Sequence, residues 1–127
     1  MHRAKREPIL LISARWQTRA LLAAELGERV ARDVVSAAGV NEALGLIKLA
    51  GVEPVVMVVD AGRRVEPEDV WRLLEAKREV PLVLVVSRLR REAFDGLRER
   101  CAVYLVRPVR IGAIAERVVS VLEDVEG

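Results

Sequence analysis

The sequence has one cysteine, one histidine and few aromatic residues, only 3% of the chain. Each scarcity excludes something. A lone Cys101 cannot close an intramolecular disulfide, so a reducing cytoplasm is the expected compartment. The only histidine is His2, close to the chain start, and this removes Ser-His and Cys-His pairs with a buried base. Neither GxGxxG nor GxxxxGK[ST] occurs, so the phosphate-cradling loops of dinucleotide and P-loop enzymes are absent. No apolar run approaches the length of a membrane span, and Ile9 to Ile12 is too short for a signal peptide. Lysine is scarce too, confined to Lys5, Lys48 and Lys77, so the basic residues are mostly arginine. The formal charge of +2 is too small to identify a nucleic-acid binder. With so few aromatics, any core must be built from Val, Leu, Ile and Ala.

Those residues are abundant. Hydrophobic residues make up 52% of 127 positions, enough for one domain with a proper core. After a basic leader, Met1–Glu7, short apolar runs alternate with amphipathic stretches over residues 8–127. The runs predict strands at Ile9–Ser13, Asp33–Ala37, Val55–Asp60, Leu82–Ser87 and Val103–Val106. ILLI, VVMVV and LVLVV lack in/out alternation, as strands do when helices cover both faces of a parallel sheet. Between them the pattern predicts helices at Thr18–Leu26, stopped by Gly27, and at Glu42–Ala50, capped by Asn41 and stopped by Gly51. A third helix starts at Pro67, a fourth short and charged one covers Arg91–Arg100, and a last one covers Ile111–Glu123. Leu21, Leu22, Leu44, Ile47, Leu49, Ile114 and Val118 are among the side chains expected to be buried. Trp16 and Trp71 are expected to pack on helices, and Cys101 to be a small buried hydrophobe. The order is (βα)₅, which predicts a three-layer, doubly wound, flavodoxin-like α/β domain with strand order 2-1-3-4-5. In such sheets function gathers outside the carboxyl ends of the strands. The positions there are Ser13, Ala14, Asp60, Ala61, Val86, Ser87 and Arg107.

Three motifs now carry a resemblance. Val55 to Asp60, Pro81 to Ser87 and Tyr104-Leu105-Val106-Arg107-Pro108 together resemble the receiver domains of two-component response regulators, over Pro8 to Glu123. The resemblance implies that Asp60 stands at the phospho-acceptor position, that Val86 or Ser87 stands at the switch hydroxyl, and that Arg107 stands at the lysine. It departs from a working receiver at Ser13-Ala14, where the family carries an acidic pair. It departs again at Arg107 and at the loop Ala61-Gly62-Arg63-Arg64-Val65-Glu66. Phosphoryl capture needs Mg²⁺, which is hard and demands oxygen ligands. Without carboxylates at 13 and 14, the resemblance implies a pseudo-receiver with no resident cofactor; Mg²⁺ enters only if Asp60 is phosphorylatable.

Asp60 is open to three readings: phospho-acceptor, ion-pair partner of Arg107, or solvated strand-end carboxylate. Ser13 and Ser87 are expected to bond nearby backbone. Arg88, Arg90, Arg91, Arg98 and Arg100 are expected to form a solvated face. Arg15, Arg63, Arg64 and Arg107 are expected to turn the carboxyl edge positive. The leading expectation is a cytoplasmic, non-enzymatic signalling module that binds a protein partner. Its surface, implied by the resemblance, includes Arg91, Arg98, Tyr104, Pro108 and Ile111, with a homodimer through that face as one form. A phosphorylatable receiver is the alternative, and a nucleic-acid or other anion site at the basic edge is a third, less favoured reading.

Overall fold

The computed structural model describes residues 7–127. The expected leader therefore falls outside the described residues except for Glu7, and His2 falls outside with it. Glu7 is tied to the domain: its carbonyl accepts a hydrogen bond from Arg32 at 2.8 Å.

Five strands form one parallel sheet in the order β2-β1-β3-β4-β5. They are β1 (Ile9–Ser13), β2 (Val34–Ala37), β3 (Val56–Ala61), β4 (Leu82–Val86) and β5 (Val103–Val106). The helices are α1 (Trp16–Arg29), α2 (Val40–Lys48), α3 (Pro67–Ala76), α4 (Arg91–Phe94) and α5 (Ile111–Glu126). Every residue of β1, β3 and β4 is buried, which is why their sequences show no alternation. Side chains nevertheless leave each strand on alternate faces. Leu10, Ile12, Met57, Val59, Leu82 and Leu84 meet α2, α3 and Phe94 on one side. Ile9, Leu11, Val56, Val58, Val83 and Val85 meet Leu22 and Leu26 of α1 and Ile114, Val118 and Leu122 of α5 on the other.

Several boundaries differ from the sequence expectation. Helix α1 runs through Gly27 to Arg29, because buried Leu26 and the Glu25–Arg29 pair at 2.8 Å sustain the last turn. A glycine costs a helix only about 1 kcal/mol relative to alanine, so it need not stop one. Leu22 and Leu26 face the core, which turns Leu21 out to 60% exposure. Trp16, at the first position of α1, is exposed rather than packed. Helix α2 starts at Val40 behind an extended Gly39, so Asn41 sits inside its first turn instead of capping it. Asn41 accepts a hydrogen bond from Arg72 of α3 at 2.9 Å. The helix ends at Lys48, which leaves Leu49 beyond the last turn and in solvent. The chain then reverses at Gly51, whose φ of 71° is a left-handed conformation that favours glycine. Asp33 and Val55 lie just before their strands and Ser87 just after β4. The expected fourth helix is broken: a 3₁₀ turn at Arg88–Arg90, α4, and a 3₁₀ segment at Asp95–Arg100.

Candidate functional site

Parity places the site. Asp60 follows Val56 and Val58 at period 2, and Ser13 follows Ile9 and Leu11, so both point to the α1/α5 side. The two strands pair with Ser13 directly beside Asp60. Arg107 extends the same alternation past β5, where Val103 and Leu105 face that side. Three chain segments thus deliver three polar groups to one point at the carboxyl end of the sheet.

Asp60 is 3% exposed and Ser13 is fully buried; both are polar groups in an apolar setting and each has a partner. Ser13 Oγ donates to Asp60 Oδ2 at 2.9 Å. Arg107 Nη2 donates to Asp60 Oδ1 at 2.7 Å, a charge-assisted bond. Arg15 Nη2 stands 3.8 Å from Oδ2. Both carboxylate oxygens therefore face a guanidinium. Ser13 Oγ does lie 3.5 Å from the nearby Arg15 carbonyl, as expected, but its shorter bond is to Asp60, which in-register pairing of two parallel strands brings beside it. Its carbonyl oxygen accepts from Arg19 at 2.7 Å. The Arg107–Pro108 peptide bond is cis.

The other expected pocket residues divide. Ala14 and Ser87 line the same cleft as Asp60. Ser87 Oγ accepts from the Leu89 amide at 3.2 Å, capping the 3₁₀ turn. Val86 does not reach the cleft; its side chain is fully buried in the core on the α2/α3 side. On the expected partner surface, Arg91, Arg98 and Pro108 are exposed while Tyr104 and Ile111 are half-buried. Ile111 packs against the α1/α5 cluster. Tyr104 Oη is within hydrogen-bond distance of the Arg91 carbonyl at 3.3 Å and of Asp95 Oδ1 at 3.2 Å, and Arg98 lies over its ring.

Arg90 does something the sequence did not signal. Its guanidinium donates to the carbonyls of Gly62 (3.0 Å) and Val65 (2.7 Å) and to both carboxylate oxygens of Glu66 (2.9 and 3.0 Å). It also lies over the Phe94 ring, 5.2 Å from the centroid. One side chain thereby fixes the loop after β3 to the segment after β4. In the sequence it is one arginine in a run of several, with nothing local to single it out.

The cleft above Asp60 has a volume of about 650 Å³ and includes Arg15, Arg63, Arg64, Arg90 and Arg107. A receiver-type magnesium site would occupy this position, and the donor set fits it poorly. Mg²⁺ is held by carboxylate, carbonyl and water oxygens in octahedral geometry. Here one carboxylate is available, with guanidinium groups on both its oxygens. Among the described residues no group of three or more His, Cys, Asp or Glu side chains is placed to hold a metal ion.

The sheet order, the helical layers and a carboxylate at the end of the central strand define the receiver class of flavodoxin-like folds. Solved structures agree. The receiver domain of NtrX from Brucella abortus is 20% identical, with 91% of this chain and 95% of that one aligned at a TM-score of 0.71. Chemotaxis response regulator CheY4 of Vibrio cholerae is 17% identical over 92% and 99%, with a TM-score of 0.74. A structure described as adenylate cyclase from Rhodopirellula baltica is 17% identical over 95% and 98%, with a TM-score of 0.69. No family model and no curated protein matches the chain. At these identities the likeness establishes the fold: this chain has the fold of response-regulator receiver domains. Among the described residues no helix is long and apolar enough to cross a membrane.

Proposed function

We propose that this chain is a receiver-type signalling module that acts by binding a protein partner and has no use for magnesium-dependent aspartyl phosphate chemistry. The observation that carries the reading is the 2.7 Å contact between Arg107 and the buried carboxylate of Asp60. An arginine bound there neutralises the carboxylate as an ion pair and makes it a weaker nucleophile toward a phosphoryl group. It also places a fixed positive charge where a divalent cation would have to approach. Ser13 and Ala14 offer no carboxylate to offset that repulsion. The fold is kept and the reactive set is not, which leaves recognition as the role. The partner surface in this reading is α4, β5 and α5 with the segments between them, where Arg91, Arg98, Tyr104 and Pro108 reach solvent at least in part. The one hydroxyl bonded to the carboxylate, that of Ser13, is fully buried and does not line the cleft, so the reading is non-enzymatic.

The test is incubation with acetyl phosphate and Mg²⁺ followed by intact-mass and peptide mass spectrometry. The expected result is no added phosphate at Asp60. Stable labelling there, abolished by Asp60→Asn, would replace this reading with that of a phosphorylatable receiver.

A further inference from the structure

We infer that the cleft over Asp60 is a non-covalent binding site for a small polyphosphate anion, of the pyrophosphate or nucleoside diphosphate class. The inference begins from an imbalance of charge. Five arginines line the cleft against one carboxylate. Arg90 is spent on Glu66 and on loop carbonyls. Asp60 offsets one charge, shared between Arg107 and Arg15. Arg63 and Arg64 pair with no carboxylate among the described residues, and residues 1–6 contain no Asp or Glu that could serve. Like charges gathered in one concavity repel, and a multivalent anion is the species that relieves them.

The geometry is prepared for it. Val65 is buried, and Arg90 holds the carbonyls of Gly62 and Val65 from below. The loop backbone is therefore fixed while the Arg63 and Arg64 side chains remain exposed. The Arg15 side chain is 61% exposed and that of Arg107 is 25% exposed. A guanidinium carries five N–H donors, so the bond to Asp60 leaves Arg107 with donors to spare. Guanidinium forks match phosphate oxygens bidentately, and several forks select for more than one phosphate. The volume of about 650 Å³ suits a small molecule rather than a polymer track. A nucleic-acid surface would instead need basic residues spread along a stripe.

The test is isothermal titration calorimetry of the full chain in metal-free, low-salt buffer, with sodium pyrophosphate, ADP and a single-stranded oligonucleotide as separate titrants. One-to-one saturable binding of pyrophosphate is expected, with ADP competing for the same site. Raising the salt should weaken it by about tenfold or more. Arg63→Ala/Arg64→Ala should weaken it by at least about tenfold without moving the ligand-free melting temperature, while Arg117→Ala on exposed α5 should bind as the parent does. ADP tighter than pyrophosphate assigns the source as a nucleotide; equal affinity assigns it as the phosphate group alone. Absence of pyrophosphate binding, unchanged affinity in the double variant, or binding of the oligonucleotide alone would each overturn the proposal. The readout is reversible and needs no magnesium, so its failure is separate from any labelling of Asp60.

Discussion

Helix α3 and the segment Arg88–Arg100 lie against the same side of the sheet, yet one is a continuous helix and the other is three short pieces. The difference starts in the sequence. Helix α3 opens with Pro67 at its first position and has Glu68 and Asp69 in its first turn, beside the positive end of the dipole. Asp69 accepts a hydrogen bond from the Glu66 amide at 2.9 Å. Val70, Leu73 and Leu74, spaced i, i+3 and i+4, then give it a buried stripe. The later segment also has acidic residues, Glu92 and Asp95, in its first turns, but α4 has no side-chain cap. Leu89 is almost fully exposed, and only Phe94 and Leu97 are buried, with Gly96 between them. A single pair of apolar anchors does not sustain a helix of several turns. So α3 is stabilised from within, and the segment is held by contacts to groups outside it: Arg90 to Gly62 and Glu66, Tyr104 to the Arg91 carbonyl, and Arg100 over Trp71 of α3. Recognition surfaces are drawn from parts of a fold with low local stability, which fits the partner role given to this segment.

The comparison can be broken at its anchor. Phe94→Ala removes the largest buried side chain of the segment and should cost about 3–5 kcal/mol of unfolding free energy, read from the denaturant midpoint. Amide exchange should rise over residues 88–100 before it rises in α3. A loss below about 1 kcal/mol would mean that the segment is not anchored there. Arg90→Ala comes next, at about 2 kcal/mol, because it strips charge-assisted bonds from Gly62, Val65 and Glu66. Its exchange signature should appear in residues 62–66 as well as in 88–100. Lysine should not restore it, since a single ammonium cannot reproduce the fork. Glu66→Ala is smaller, about 1 kcal/mol, because Asp69 still accepts from the residue 66 amide while the exposed ion pair and the Glu66 half of the capping box are lost. Equal effects of Arg90→Ala and Glu66→Ala would show that the carbonyl contacts contribute nothing.

The same contrast explains what could be read in advance. Strands β1, β3 and β4 are legible because burial on both faces leaves an uninterrupted apolar run, and nothing else in the chain resembles one. Asp60 is visible as the polar residue ending such a run and Arg107 as the one following the half-buried β5, but that they share a side depends on strand register. The Ser13–Asp60 bond is not visible, because it depends on the register between two strands that are far apart in sequence. Leu21, Leu49 and Trp16 misled because an apolar residue near a helix end or at the margin of its stripe carries no mark of which side it takes. Arg90 was hidden among like residues, its role fixed by a loop more than twenty positions away.

The weakest test of the comparison is alkaline pH, which acts on two groups flanking the segment. Burial pushes the Cys101 thiol up from its ordinary 9.0 to about 11. Cys101 lies directly after Arg100, and its thiol lies 3.3 Å from the Leu97 carbonyl. Tyr104 is also raised, first by burial and then by its hydrogen bond to Asp95 and by the charge there. Both groups favour the protonated form in the folded state. Their contribution is therefore intact below about pH 9, where the unfolded thiol is still protonated, and is lost as the pH climbs toward about 11. The thiol should also react with a disulfide reagent at mildly alkaline pH about tenfold more slowly than in the denatured chain, since the higher pKa lowers the thiolate fraction more than it raises thiolate nucleophilicity. Cys101→Ala should flatten part of the alkaline loss of stability and Tyr104→Phe another part. Exchange in residues 88–100 should accelerate with pH beyond the intrinsic rate, while exchange in α3 should not. If both regions loosen together, the segment is part of one cooperative unit with α3, and the distinction between support from within and support from outside fails.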